Sequence, residues 1–332
     1  MRRMRGRYLL LLVLVLAAGV VGTLYIIPSD SYIYLPDEAR AADPLVTVPD
    51  EEEETTEDGI YIVDVLVRRA SVLEELLPGL FEGATLVPEE NLNPLGVSDA
   101  ARRESSLQDM TKSQKIAAAV ALRELGYEVK AEPSGVLVSQ VDPAAPAAGK
   151  LEIGDVIVAA DGEEIRTTAE LARHMENEVE AGDIVELTVR REGKTESVRV
   201  GTTESADSGR PVFGILVEQE ANIELPVDID IDAGNIGGPS AGLAFALDIV
   251  DELGDDVDGG RKVVVTGTID LDGAVGPIGG IKQKTIGARE ADADVFIVPE
   301  ENAAEARQHA DDLRVVAVSN FDQALAALEM PA

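Results

Sequence analysis

Residues 8–27 form a run of twenty residues without a charge, preceded by Arg2, Arg3, Arg5 and Arg7 and closed by Pro28. At about 1.5 Å rise per residue such a run makes a helix of roughly 30 Å, the hydrocarbon thickness of a bilayer. No other feature restricts the chain as strongly, because an apolar helix of this length has no place on the surface of an ordinary globular domain. The first acid is Asp30, so all the early charges are basic. The positive-inside rule then places the N-terminus in the cytoplasm and everything after residue 28 outside it. A cleaved signal peptide is the alternative. Its apolar region is usually shorter, about 7–15 residues, and the nearest small-x-small triplet, Ala39-Arg40-Ala41, lies well past the run. The expectation is an uncleaved, single-pass anchor in residues 1–28 of a cell-membrane protein.

Composition enters by exclusion. The chain has 332 residues and a net charge of −35, from 63 acidic and 28 basic residues. Such a chain, with no Trp, lacks the basic surface and stacking rings that nucleic acids need. It has no cysteine, which removes disulfides, thiolate metal sites and cysteine nucleophiles. His174 and His309 are the only histidines left for a His-based triad or metal cluster. Hydrophobic residues make up 45%, enough for real cores. No cofactor or metal is called for. Gly193-Lys194-Thr195 imitates the end of a phosphate-binding loop, but position 188 is Thr where that loop needs Gly, so no nucleotide is expected.

Residues 29–58, with the acidic run 51–54, read as a solvated linker. Residues 59–67 read as a strand, Ser71 to Leu77 as a short helix, 84–106 as loop, and Met110 to Leu125 as a helix stopped by Gly126. Strand and turn signals follow: Gly135-Val136-Leu137-Val138, a Pro/Ala turn, a strand entering Asp161-Gly162, a helix capped at Thr167 or Thr168, and two alternating strands at 184–190 and 197–200. This run resembles a PDZ domain of the bacterial protease-associated kind, through its Gly-Val-Leu-Val segment, Ala-Gly-Lys-Leu-Glu-Ile-Gly-Asp-Val-Ile core and Asp-Gly-Glu-Glu-Ile turn. The resemblance implies that an extended peptide adds as a strand beside Gly135, Val136, Leu137 and Val138. A PDZ domain that only spaces or shields its neighbour is the alternative.

The C-terminal segment opens on alternating residues 223–231, read as a strand, and then Gly237-Gly238-Pro239-Ser240-Ala241-Gly242 before an apolar helix. Gly238 suits an N-cap and Pro239 the first helical position. Ser240 then sits among the unpaired N–H groups and the positive end of the helix dipole, where the amides of Gly238, Ser240 and Ala241 could hold an oxyanion. A serine nucleophile needs a general base, and with neither histidine in a suitable motif a lysine is the remaining candidate.

Two further motifs follow: a strand ending in Thr266-Gly267, and Pro277-Ile278-Gly279-Gly280-Ile281-Lys282-Gln283-Lys284 opening a second helix. The ordered set resembles the proteolytic domain of the Lon family, serine peptidases with a Ser–Lys dyad. The resemblance implies Ser240 as nucleophile, Lys284 as base and Thr266 as its hydrogen-bonding neighbour, while Lys282 reads as solvated. It reaches back to Met110-Thr111-Lys112-Ser113 and the helix there. The fold expected is α/β (α+β): a Lon-type domain from residues 59–125 and 204–332, a small β-rich PDZ domain inserted at 126–203, and one N-terminal transmembrane helix.

The chain departs from the family in two respects. Gly237 stands where Lon commonly has an acid, and the Ser240-to-Lys284 spacing is one residue longer than usual. The ATPase module of housekeeping Lon is not seen in these residues, so ATP-independence is expected. The implied function is an extracytoplasmic, membrane-anchored serine endopeptidase acting on unfolded or exposed protein segments. By resemblance it would be a homo-oligomer, with the PDZ recruiting or gating substrate. The alternatives are a catalytically idle, membrane-tethered peptide-binding scaffold and a protein that cleaves itself from the membrane.

Overall fold

The computed structural model describes residues 2–49, 58–79, 81–93, 97–191, 193–205, 209–254 and 257–328, with side chains from residue 12 onward. Helix α1 (Arg2–Ile26) runs into β1 (Pro28–Pro36), β2 (Arg40–Ala41) and β3 (Val46–Thr47). Then come β4 (Gly59–Ile62), β5 (Val65–Ser71), α2 (Val72–Leu76), β6 (Thr85–Pro88), α3 (Glu89–Leu92) and the long α4 (Asp99–Glu124). A strand-rich stretch follows: β7 (Lys130–Val141), β8 (Val156–Ala160), β9 (Glu163–Glu164), α5 (Thr168–Glu178), β10 (Ile184–Arg191), β11 (Lys194–Gly201), β12 (Thr203–Glu204), β13 (Pro211–Val212) and β14 (Ile215–Glu224). After β15 (Asp230–Ile231) a 3₁₀ turn, Pro239–Ala241, enters α6 (Gly242–Leu253). The rest is β16 (Lys262–Val265), β17 (Thr268–Ile269), β18 (Val275–Gly276), α7 (Ile281–Glu290), β19 (Val295–Pro299), α8 (Glu300–His309), β20 (Arg314–Val318) and α9 (Phe321–Leu328).

The central sheet has the order β2-β4-β16-β19-β20. β4, β16, β19 and β20 are mutually parallel and β2 is an antiparallel edge. Successive strand residues point to opposite faces, and both faces are covered. Val263 and Val265 join Ile60 and Ile62 in a core with α4, α6 and α9, whereas Val264 and Phe296 pack with Ile281, Ala288, Ala303 and Ala306 of α7 and α8. Hence these strands are apolar throughout instead of alternating. The first core draws on residues on both sides of the strand-rich stretch, among them Met110 and Leu243.

Residues 136–217 build a separate core, with Val136, Val138, Ile157, Leu171, Leu187 and Val200 inside an antiparallel sheet β11-β10-β8-β7-β14. Thr167 caps α5 through a capping box with Glu170, as the sequence suggested.

Four stretches differ from expectation. Much of 29–58 is structured: β1 is the middle strand of a sheet β5-β1-β6, and Ala42, Val46 and Val48 are core residues. The run 51–54 lies outside the described residues. The stretch 84–106 holds β6, α3 and the start of α4. Ser98 caps α4 by accepting from the Ala101 amide at 3.2 Å; residues 99–109 carry no apolar stripe, which hid this half of the helix. The single strand read at 59–67 is two, β4 and β5, in different sheets. The strand read at 223–231 is likewise the end of β14 and the short β15. Among the described residues no helix is long and apolar enough to cross a membrane. The run 8–27 falls mostly within α1, whose residues 2–11 have no described side chains.

Candidate active site

Ser240 sits in the 3₁₀ turn ahead of α6, so the α-helix proper begins three residues later than the sequence suggested. Gly238 caps the turn at φ +86°, in a region that side chains avoid. The turn is clamped from two sides. From the central sheet, the Gly267 amide and the Thr266 hydroxyl donate to the Ser240 carbonyl at 2.9 and 3.1 Å. From α4, the Ser113 hydroxyl donates to the Pro239 carbonyl at 3.1 Å, and the Ser106 carbonyl accepts from the Gly238 amide at 2.7 Å. A Cβ on Gly267 would crowd Val275 and Leu243 at 3.1 and 3.2 Å; bare glycine lets the strand end reach α6.

Lys284 approaches from α7. Gly280 starts that helix in the left-handed region at φ +69°, where a Cβ would lie 2.6 Å from Val65. The Lys284 side chain is 3% exposed. Its Nζ lies 2.8 Å from Ser240 Oγ, 2.8 Å from the Val63 carbonyl and 3.2 Å from Thr266 Oγ1. Burial lowers its pKa from 10.5 to about 8, against the charge of Asp64, which acts to raise it. Asp64 is pushed up by its own burial and pulled down by Lys284 and Arg40.

The Thr266 hydroxyl spends its proton on the Ser240 carbonyl, so toward Lys284 it can only accept. The Val63 carbonyl also only accepts. A neutral amine has two N–H groups and one lone pair; with both N–H groups donated to these acceptors, the lone pair faces Ser240 Oγ. That is the geometry of a general base poised on a hydroxyl.

The structure therefore brings Ser240, Thr266 and Lys284 together. It separates Gly238 from the predicted oxyanion set, because its amide is committed to Ser106; Ser240 and Ala241 remain in the turn. Lys282 is only partly solvated: half-buried, its Nζ donates to the Ala84 carbonyl at 3.2 Å, in a stretch the sequence reads as loop. Sequence reasoning missed the Val63 carbonyl, since a backbone acceptor leaves no residue-type signal. It also missed the role of Ser113, although it had singled out the helix that carries it. His174 is buried on α5 between Asp161 and Glu163, at 3.2 and 3.3 Å, and pins the helix to the β8–β9 turn.

Gly135, Val136, Leu137 and Val138 cannot take an added strand. β7 is paired with β14 on one edge, from Glu220 opposite Gly135 to Val217 opposite Val138, and with β8 on the other. The unpaired edges of this sheet among the described residues are β14 and β11. Two cavities stand out among the described residues. One of about 490 Å³ is lined by Asp64, Val65, Asp232, Asn235 and Gly237. A larger one, about 1340 Å³, lies between α4 and the outer side of β7 and β14, next to Leu107, Lys112, Leu137 and Glu218. The smaller is the one in reach of the chemistry, since Asp64 follows Val63 and Gly237 precedes Gly238.

Residues 195–330 match the family described as Lon protease (S16) C-terminal proteolytic domain, and residues 123–202 match the PDZ domain family. The Lon protease of Rickettsia typhi is 34% identical over 130 residues, 37% of this chain and 16% of that protein. Lon protease 2 of Bacillus subtilis is 33% identical over 32% of this chain and 18% of its own length. For the Azorhizobium caulinodans Lon protease the values are 39%, 34% and 14%. The match thus spans less than a fifth of each of these relatives. Among solved structures, the PDZ domain of an SdrC-like protein from Listeria monocytogenes is 28% identical over 25% of this chain and 87% of that one, with a TM-score of 0.24. Its Listeria innocua counterpart is 30% identical over 26% and 96%, with a TM-score of 0.25. The chain carries a Lon-type proteolytic domain together with a PDZ domain.

Proposed function

We propose that the chain is an ATP-independent serine endopeptidase with a Ser240–Lys284 dyad, acting on unfolded or exposed protein segments outside the cytoplasm. The observation that carries this reading is the 2.8 Å approach of a buried lysine Nζ to Ser240 Oγ, with its other contacts all neutral acceptors. In the first half-reaction neutral Lys284 takes the Ser240 proton as Oγ bonds to the scissile carbonyl carbon. The carbonyl oxygen becomes an oxyanion beside the Ser240 and Ala241 amides at the start of the turn. Collapse breaks the C–N bond, and the Lys284 ammonium protonates the departing amine. A water then attacks the acyl ester and gives its proton to Lys284. As the ester C–O bond breaks, that proton returns to Ser240, restoring the dyad. Thr266 orients the amine throughout.

The PDZ domain would recruit or gate substrate by adding an extended peptide to the β14 edge. α1 would anchor the chain in the membrane: residues 12–16, all Leu or Val, are exposed on every side, which suits lipid and not water. Digestion of casein by the full chain in detergent without ATP tests the catalytic reading. Wild type should cleave, and Ser240→Ala and Lys284→Ala should not. Cleavage surviving both substitutions would overturn the dyad, and a folded wild type that binds peptide but never cleaves would favour the idle scaffold.

A further inference from the structure

α1 does not end in a free linker. The Val72 amide at the start of α2 donates to the Ile27 carbonyl at 2.9 Å, and the last turns of α1 lie alongside α2 and β5. Around this junction the protein exposes large apolar side chains. Ile26 is 80% exposed, with Tyr25 and Ile27 beside it, while Leu76 is 64% and Leu77 52% exposed on α2 and its C-cap, and Phe81 follows. The acids here are bonded, with Glu75 and Glu82 exposed and Glu82 paired to Arg289. Glu74 is buried against Arg68 at 2.6 Å and closes the Ser71 capping box, and Glu75 accepts from Ser31.

We propose that α2 and its flanking residues Leu77 and Phe81 form a membrane-contact ridge, seated in the lipid headgroup–acyl boundary beside the end of α1. This rests on the reading of α1 as an anchor. Residues 12–16 of α1 are all Leu or Val and exposed on every side, so whatever covers them surrounds them, as lipid does and a single docked partner does not. Tyr25 marks the level at which an amphipathic ring meets the interface, and the α2 leucines lie at that level because α2 packs along those same turns. A ridge of Leu and Phe beside a spanning helix buries its apolar groups a few ångströms into the boundary. It would hold the Lon-type domain in one orientation on the bilayer, where a single helix alone would let it swing.

The absence of tryptophan makes single-Trp reporters clean. Full chains carrying Leu14→Trp, Leu77→Trp or Ile184→Trp are reconstituted in phosphatidylethanolamine–phosphatidylglycerol vesicles with and without brominated acyl chains. Leu14 reports on the anchor, Leu77 on the ridge, and Ile184, exposed on β10, on water. The Leu77 reporter should emit to the blue of the Ile184 reporter and lose intensity as bromolipid is added. If it emits and resists quenching like the Ile184 reporter while the Leu14 reporter is quenched, the ridge is dry of lipid and the proposal falls alone. If the Leu14 reporter is also unquenched, the anchor reading itself fails. A blue-shifted, unquenched Leu77 reporter would assign the ridge to a second copy of the chain and equally overturn contact with lipid.

Discussion

Lys284 and Arg191 are both cations drawn in from solvent, and the chain treats them in opposite ways. Arg191 meets a counter-charge: its Nε and Nη2 donate to the two oxygens of buried Asp155, each at 2.7 Å, and Glu152 adds a further contact at 3.0 Å. These partners hold its pKa above the usual arginine range. Lys284 meets only a carbonyl and two hydroxyls within hydrogen-bond reach, and burial pulls it down to about 8. Part of the difference is intrinsic, since a guanidinium stays protonated in a protein while a buried ammonium readily gives up its charge. The acceptors widen it: a carboxylate in contact holds the ion, whereas neutral acceptors leave a group that titrates near physiological pH. One cation pins the PDZ fold, and the other is available for chemistry.

The contrast can be broken most severely at the dyad. Ser240→Ala or Lys284→Met should lower peptide-bond cleavage by about 10³-fold or more, read as kcat/KM on casein-derived peptides. A Lys284→Met enzyme with wild-type rates would show that the amine is a bystander. On the other side, Arg191→Met strands the buried Asp155 carboxylate and should cost roughly 2–3 kcal/mol in urea unfolding, while the pH dependence of cleavage stays where it was. Thr266→Val keeps the shape but deletes one acceptor of the amine and one donor to the Ser240 carbonyl. A loss of about 10- to 100-fold in kcat, with KM little changed, is expected; restored activity in Thr266→Ser would tie the loss to the hydroxyl.

The pH dependence sharpens the comparison further. The base must be neutral, and its pKa is about 8, so kcat/KM should climb about tenfold per unit below that value and level off above it. Asp64→Asn removes the charge that raises Lys284. Its rising limb should move to lower pH, with a gain of roughly twofold at pH 7. A limb moving to higher pH would reverse the sign assigned to Asp64.

Part of the site was legible in local backbone chemistry and part only through family resemblance. Gly238-Pro239 announces a helix start and puts Ser240 in its first turn, whereas the roles of Ser240, Lys284 and Thr266 come from the likeness of the ordered motifs to the Lon proteolytic domain. The groups that aim them were not legible. Val63 acts through its carbonyl, and the Gly238 amide is taken by a carbonyl on α4, contacts that no residue type encodes. Likewise β1 reads Pro-Ser-Asp-Ser-Tyr-Ile-Tyr-Leu-Pro, neither alternating nor apolar throughout, and becomes a strand only because β5 and β6 flank it. The PDZ edge was misplaced for a related reason. The strand that covers β7 begins at Ile215, past the strands from which the domain was recognised.

That covering strand has a consequence for how the chain can be assembled. β7 and β14 pair from Lys130 opposite Glu224 to Val141 opposite Ile215, so the excursion leaves and re-enters its host at neighbouring points. For the host, once this ladder has formed, the loop-closure penalty of the excursion shrinks to that of a tight turn. The strand-rich unit can then fold first as a clamp that delivers α4 and the nucleophile turn to each other. The architecture is modular in a literal sense: a two-residue turn joining Lys130 to Glu224 should leave a shorter chain whose Ser240 and Lys284 still meet.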